Sequence, residues 1–345
     1  MSSAKRLVCF NHKGGVSKTT SIYNIGWVLA KRGNVLLVDG DPQCNLTGLI
    51  LGEKFDEYYL DPLTANQNIK DGVSVAFTGK PYPITAVECF SPARAPNIKL
   101  LAGHADLSEY DASLTFAQNS NNAIAALQNL PGAFSKLIEL TEEKYEIDYT
   151  LIDLNPGLSA INQNLFLSSH AFIVPTNPDP FSLMALNTLE KILPRWVEWK
   201  RQSAPLFIET AYPMLEGVPK FIGTLIQRFN IRKGRAAAPY RDNINEIKRK
   251  INDDFFIKMS SSDMTLSPEY YAQKLRENYY CFDEIPDFQG LLPKAHSAGV
   301  PVIELTDDEI EEAGVVQDNL VAKRDLFRER LNLIGDQIIN MLAHA

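Results

Sequence analysis

No two of the four cysteines, Cys9, Cys44, Cys89 and Cys281, form a CxxC pair. Scattered in this way they read as reduced, mostly buried thiols and not as a disulfide framework. Long apolar runs are also missing, and none approaches the roughly 20 residues of a membrane span. Met1-Ser2-Ser3-Ala4-Lys5-Arg6 leads straight into an apolar strand pattern and leaves no room for the apolar core of a signal peptide. A cytoplasmic protein is therefore expected. Positive charge is in deficit: 34 Lys and Arg stand against 42 Asp and Glu, a net charge of −8. Overall charge therefore does not draw the chain onto DNA or anionic lipid, and any such contact needs a local basic patch. What is present is 345 residues, 45% hydrophobic and 22% charged. That suits one large α/β domain, or a domain with a sizeable insertion, around an ample core.

The most informative stretch is Lys13-Gly14-Gly15-Val16-Ser17-Lys18-Thr19-Thr20. It follows the apolar run Leu7-Val8-Cys9-Phe10 and opens a helical pattern reaching about Arg32. Strand, Gly-rich loop and helix in that order are the context of a phosphate-binding loop. The glycines let backbone N–H groups turn inward toward phosphate oxygens, and the helix N-terminus adds partial positive charge. Lys18 can reach the β- and γ-phosphates, and the Thr19 hydroxyl can ligate Mg²⁺. The loop departs from the standard Walker A pattern, because His12 and Ser17 stand at its two glycine positions and a second lysine, Lys13, lies near its start.

This motif resembles the deviant Walker A loop of the ParA/MinD family of P-loop ATPases. The family usually has Gly where Ser17 stands. The resemblance implies that Lys13 is the signature lysine, reaching across a dimer to the partner's nucleotide. It also aligns Asp39-Gly40-Asp41-Pro42-Gln43-Cys44-Asn45 with the family's Asp-x-Asp-Pro-Gln-x-Asn segment. Two carboxylates at the carboxyl end of a buried strand (residues 34–39) lie where open α/β sheets bind ligands. By resemblance, Asp41 positions the hydrolytic water and Asp39 belongs to the Mg²⁺ surroundings. Tyr149-Thr150-Leu151-Ile152-Asp153 reads as a Walker B strand whose carboxylate orders the metal's water shell. In the switch II segment that follows, Asn155 replaces the family's first proline.

Elsewhere the chain is unevenly legible. Residues 46–96 read as irregular connections with one or two short helices. Asn97–Leu101 reads as a strand, and 107–145 as two helices broken near Pro131-Gly132. His170–Pro175 is a further strand, leading into a helix that reaches about Lys200. Residues 205–215 are an extra strand or a long loop. The strand 221–226 aligns with one ending beside the adenine in the family, so Gln227 or Arg228 is a candidate base contact. The resemblance of 284–302 to the family's Ile-Pro strand end places Pro286 and Asp287 against the adenine as well. Between them, about 228–284 is longer than a minimal family member requires and reads as a helical, basic-rich insertion. It carries Arg232, Lys233, Arg235, Lys248, Arg249 and Lys250, either as a DNA-binding cluster or as a solvated face paired with nearby acids. A final helix at about 317–343 has one apolar stripe, Leu320, Phe327, Leu331, Ile334, Ile338 and Leu342. Its polar face mixes both charge signs, which favours packing on the body over a membrane anchor.

The expectation is a single domain over 1–345, a doubly wound and mostly parallel α/β sheet with helices on both faces and a long C-terminal helix. The resemblance implies slow, Mg²⁺-dependent ATP hydrolysis controlling a homodimer, non-specific DNA binding by the ATP-bound form and a ParB-like activator. The alternative is a MinD-like positioning ATPase on a membrane or protein surface. An iron-sulfur relative is disfavoured, since no cysteine follows Asp153 until Cys281. A bacterial tyrosine kinase is equally disfavoured, because residues 303–345 contain no tyrosine.

Overall fold

The computed structural model describes residues 4–120, 127–232, 235–236 and 238–345, with the side chains of 231–239 excepted. Seven strands form one sheet: β1 (Lys5–Cys9), β2 (Val35–Gly40), β3 (Ile98–Leu101), β4 (Tyr149–Leu154), β5 (Ala171–Thr176), β6 (Lys220–Gln227) and, at the far edge, Cys281–Ile285. Between the last two lies a short antiparallel ribbon, β7 (Ile231–Arg232) and β8 (Arg235–Ala236), so the edge strand is β9. The sheet order is β3-β2-β4-β1-β5-β6-β9, and every pairing is parallel. Parallel neighbours need crossover connections that cover both faces, which is why the central strands are buried along almost their whole length.

Two apolar layers result. On one face Phe10, Phe172 and Phe221 pack beneath the helices Leu130–Lys144, Ala160–Leu167 and Pro180–Ser203, the last two of which contribute Phe166 and Trp196 to the same layer. On the other, the P-loop helix Lys18–Ala30 packs beside the C-terminal helix Gly314–Leu342. Phe327, Leu331, Ile334, Ile338 and Leu342 are all buried there, so the apolar stripe read from the sequence faces the body. Among the described residues no helix is long and apolar enough to cross a membrane.

Several local readings are corrected. Pro131 does not end a helix; it occupies the first turn of Leu130–Lys144, where its missing N–H costs nothing. Three short helices, not one or two, occupy the stretch after β2: Asn45–Leu51, Phe55–Leu60 and Ile69–Phe77. Of the two readings of 205–215 the loop holds: a single turn at Ala204–Phe207 runs into it. The basic-rich stretch holds the β7–β8 ribbon, the helix Ala238–Lys250 and a π-turn at Ile251–Phe255.

Candidate nucleotide site

The strand order reverses about β1, and a cavity of about 820 Å³ opens at the carboxyl ends of the strands there. Its floor is the loop Gly15, Val16, Ser17, Lys18, Thr19 and Thr20; Gly14 leads into it, beside the Pro156 ring. The loop is held from two strands away. The Gly15 carbonyl accepts the Asn177 side-chain amide at 2.9 Å and Arg228 Nη1 at 3.0 Å. Asn11 braces its start by accepting the Lys13 N–H at 3.0 Å and donating to the Pro175 carbonyl at 2.9 Å. Gly15 has φ +73° and Ser17 φ 62°. The Ser17 position is thus left-handed, which accounts for glycine in the family and leaves this chain with a modest local strain.

Register brings the carboxylates together. Asp39 on β2 lies opposite Asp153 on β4, which in turn lies opposite Cys9 on β1. Asp153 is fully buried, and neither oxygen has a hydrogen-bond partner of good geometry. Burial pushes its pKa well above the usual 3.8, Asp39 and Asp41 push the same way, and nearby Thr19 and Lys18 oppose them. Lys18, 6% exposed, has its pKa lowered by burial, with Asp153 and Asp41 pulling it back up, and its ammonium donates to the Lys13 carbonyl at 3.2 Å. An unpartnered buried carboxylate behind a cavity-lining threonine and a buried lysine fits a divalent cation. Among the described residues no trio of His, Cys, Asp or Glu could hold a metal by side chains alone. That donor set suits Mg²⁺, which keeps waters and takes substrate phosphate oxygens to complete its shell.

Asp39, expected in the Mg²⁺ surroundings, lies opposite Asp153 with its own oxygens engaged. It is fully buried and is not a cavity-lining residue. One oxygen accepts the Asp41 N–H at 3.1 Å; the other accepts the Thr47 N–H at 2.8 Å and the Thr47 hydroxyl at 2.7 Å. Burial still pushes its pKa up to about 6. Asp39 therefore shapes the loop that presents Asp41, which does line the cavity. Of the candidate base contacts, Arg228 and Asp287 line the cavity, along with Leu292 and His296, while Gln227 and Pro286 do not. Gln227 is buried, and its amide donates to Ser21 Oγ at 2.6 Å, which fixes the P-loop helix against β6.

Lys13 lies outside the cavity. Its ammonium contacts Asp179 Oδ2 at 2.5 Å and Ser182 Oγ at 3.2 Å in the same chain. Two members of the basic cluster are engaged as well. Lys248 is paired with Glu284 and donates to Asn278 at 2.8 Å; Lys250 bridges Glu190 and Asp254, both at 2.9 Å. Arg249 is exposed. Lys233 lies outside the described residues, as do the side chains of Arg232 and Arg235.

Some residues of the site gave no signal in the sequence. Asn162 donates to the Asn155 and Gly157 carbonyls, both at 3.1 Å, and so ties down the segment in which Asn155 replaces proline. Thr47 and Asn177 act through partners far along the chain. Asp179 had a readable cue, an acid directly before a proline at a helix start.

The fold and cavity define a P-loop α/β nucleotide-binding protein. A family model described as an AAA domain matches residues 4–203, and the chain belongs to that family. Relatives it resembles include ParA-type partition proteins. Chromosome-partitioning ATPase Soj of Treponema pallidum is 30% identical over 193 residues, 55% of this chain and 64% of that protein. An uncharacterized protein of Mycobacterium tuberculosis is 30% identical over 197 residues, 56% of this chain and 54% of its own length. The match thus spans between about half and two-thirds of these relatives. The structure of pNOB8 ParA has the same fold, with a TM-score of 0.60 at 18% identity over 99% of both chains; the same protein bound to nonspecific DNA scores 0.58 at 17% identity.

Proposed function

We propose that the chain is an ATP-hydrolysing dimerisation switch that partitions or positions DNA or another cargo. The observation that carries this reading is the convergence of Lys18, Thr19 and Asp41 on one cavity, with buried, unpartnered Asp153 behind Lys18 and Thr19 and with Lys13 just outside. The P-loop amides and Lys18 bind the triphosphate. Thr19 and Asp153 would hold Mg²⁺, which when bound would offset phosphate charge. Asp41 orients the attacking water, its own position fixed by Asp39 and by the Gln43 N–H, which donates to Asp41 Oδ1 at 2.9 Å. Lys13 from a second copy would offset charge developing on the transferred phosphoryl group, so the site is complete only in the dimer. A site completed in trans makes dimerisation depend on ATP and lets hydrolysis end it. Slow turnover and acceleration by a ParB-like protein follow from the family resemblance.

Non-specific DNA is the surface this reading favours, and the pNOB8 ParA complex with nonspecific DNA supports it by analogy of fold. Packing of the C-terminal stripe on the body weighs against the membrane alternative. The deciding experiment is DNA binding with ADP, ATP and a slowly hydrolysed analogue across a salt series, with mass by light scattering. ATP-dependent dimers that hold arbitrary DNA and lose it steeply with salt are expected. ATP-dependent dimers indifferent to DNA would keep the switch and move its surface elsewhere. Asp41→Ala should keep ATP-dependent dimerisation and slow hydrolysis by about 10²-fold or more.

A further inference from the structure

Two of the basic residues that stood out in the sequence are already engaged in the fold. Lys248 and Lys250 are half-buried in ion pairs with Glu284, Glu190 and Asp254. Arg228 holds the P-loop carbonyl of Gly15. A second set of cations, dispersed in the sequence, meets in one open groove of about 430 Å³. Lys191, Arg195 and Arg201 come from the helix Pro180–Ser203, and Lys258 comes from the helix Phe256–Ser260. Ser261 and Ser262 complete the lining.

Charge in this groove is unbalanced. Among the described residues Lys191, Arg195 and Lys258 have no acidic partner within 4 Å. Arg201 reaches Asp263 only at 3.6 Å. The one acid in the lining, Glu198, accepts the Gln202 amide at 2.7 Å. Arg201 also donates to the Ser262 carbonyl at 2.9 Å, so these three unpaired cations against one lining carboxylate make a local positive field on a chain of net charge −8.

We infer that this groove is where the ATP-bound dimer grips the phosphate backbone of duplex DNA, a proposal that rests on the DNA-binding reading above. The shape favours an extended polyanion over a small phosphorylated ligand. All the charged side chains of the lining are exposed, and the groove offers no aromatic platform for a base. From Lys191 to Arg201 the helix rises about 15 Å, which matches four or five phosphates of one strand at about 3.4 Å of axis each. Contacts of this type carry no sequence information, as a sequence-independent surface requires.

The same helix links the groove to the nucleotide. Its N-cap is Asp179, whose carboxylate holds Lys13 at one oxygen and the Ser182 N–H at the other. Withdrawal of Lys13 to a partner's nucleotide changes the start of the helix whose far half carries Lys191, Arg195 and Arg201. Pro194, inside this helix and lining the groove, removes one internal hydrogen bond between the two halves.

The test uses the full chain with a slowly hydrolysed ATP analogue and random-sequence duplex DNA from 50 to 300 mM salt. Wild type is compared with a triple variant, Lys191→Gln, Arg195→Gln and Lys258→Gln, and with a second triple, Arg232→Gln, Lys233→Gln and Arg235→Gln. Mass by light scattering is recorded for each. The groove variant is expected to dimerise and hydrolyse ATP as wild type does, to bind DNA at least tenfold more weakly at 100 mM salt, and to lose about 0.9 of salt slope per phosphate contact removed. A groove variant with wild-type affinity and slope overturns the proposal and leaves the DNA reading intact, all the more so if the second triple alone loses binding. Loss of DNA together with loss of the dimer overturns it too. Wild-type dimers that ignore DNA remove the DNA reading and the proposal together.

Discussion

Asp179 serves two partners with one carboxylate: Oδ2 lies 2.5 Å from the Lys13 ammonium, and Oδ1 accepts the Ser182 N–H at 2.8 Å. The first contact holds the signature lysine inside its own chain, and the second caps the helix Pro180–Ser203. If Lys13 completes a site in trans, this internal pair competes with dimerisation. Its side chains are 19% and 33% exposed, so the competing pair is worth at most about 1 kcal/mol. Asn caps helices as well as Asp does. Asp179→Asn should therefore preserve the melting temperature closely and tighten the ATP-dependent dimer by up to about fivefold, since 1.4 kcal/mol is tenfold. Sedimentation velocity with a slowly hydrolysed analogue reads the constant. An unchanged or weaker dimer would remove Asp179 as a competitor.

The buried carboxylates predict how stability without nucleotide varies with pH. In the unfolded chain Asp39 and Asp153 lose their protons near pH 3.8, whereas in the fold burial raises both. Between that pH and the raised native value the native state holds more protons than the unfolded state. Stability therefore falls as pH rises, through about 6 for Asp39 and beyond it for Asp153. Asp153→Asn removes the larger part of this penalty, although Lys18 then loses one counter-charge. The net gain above neutrality should be on the order of 1 kcal/mol, or a few degrees of melting temperature. The variant should also lose the Mg²⁺-dependent part of ATP affinity. Thermal melts from pH 4 to 8, with and without Mg²⁺-ATP, check both; a pH profile identical to wild type would refute the assignment.

The loop that carries Asp41 hangs on Thr47. Its hydroxyl donates to Asp39 at 2.7 Å and accepts the Gly103 N–H at 2.9 Å, joining the ends of β2 and β3. Thr47→Val keeps the shape, removes one of the two hydrogen bonds to Asp39 Oδ2 and leaves the buried Gly103 N–H unsatisfied, at about 1–3 kcal/mol. Denaturant unfolding should show that loss. ATP turnover should fall further than ATP affinity, because Asp41 is misplaced while Lys18 and Thr19 are untouched. Equal falls in both would mean that Thr47 supports the whole cavity and not the Asp41 loop.

What the sequence made legible were features whose chemistry is local. The P-loop, the strand-end acids Asp41 and Asp153 and the stripe of the C-terminal helix each declare themselves within a few residues; the P-loop and Asp41 line the cavity, Asp153 is buried behind it, and the stripe is buried against the body. The less legible features depend on partners far along the chain. Asp39 looks like Asp41 in sequence, yet one of its oxygens is taken by Thr47, itself tied to Gly103 56 residues further on. Lys248 and Lys250 look like a free cluster until Glu284 and Glu190 arrive from other elements. Conversely, Lys191, Arg195 and Lys258 are unremarkable in sequence and meet only in the fold.

The packing of the C-terminal helix on the P-loop helix gives a prediction that separates body packing from membrane use. Gly335 faces Val28 so closely that a Cβ there would overlap the Val28 side chain. Ile334 and Ile338 flank it in the same buried stripe. Gly335→Leu forces the two helices apart and should cost about 1–3 kcal/mol, the usual range for overpacking a tight core contact. The P-loop helix begins at Lys18, so a shift along it should also weaken ATP binding. Urea unfolding and nucleotide titration read the two effects. A stripe held in reserve for lipid would pack loosely: Gly335→Leu would then leave both stability and ATP affinity unchanged and strengthen sedimentation with anionic liposomes.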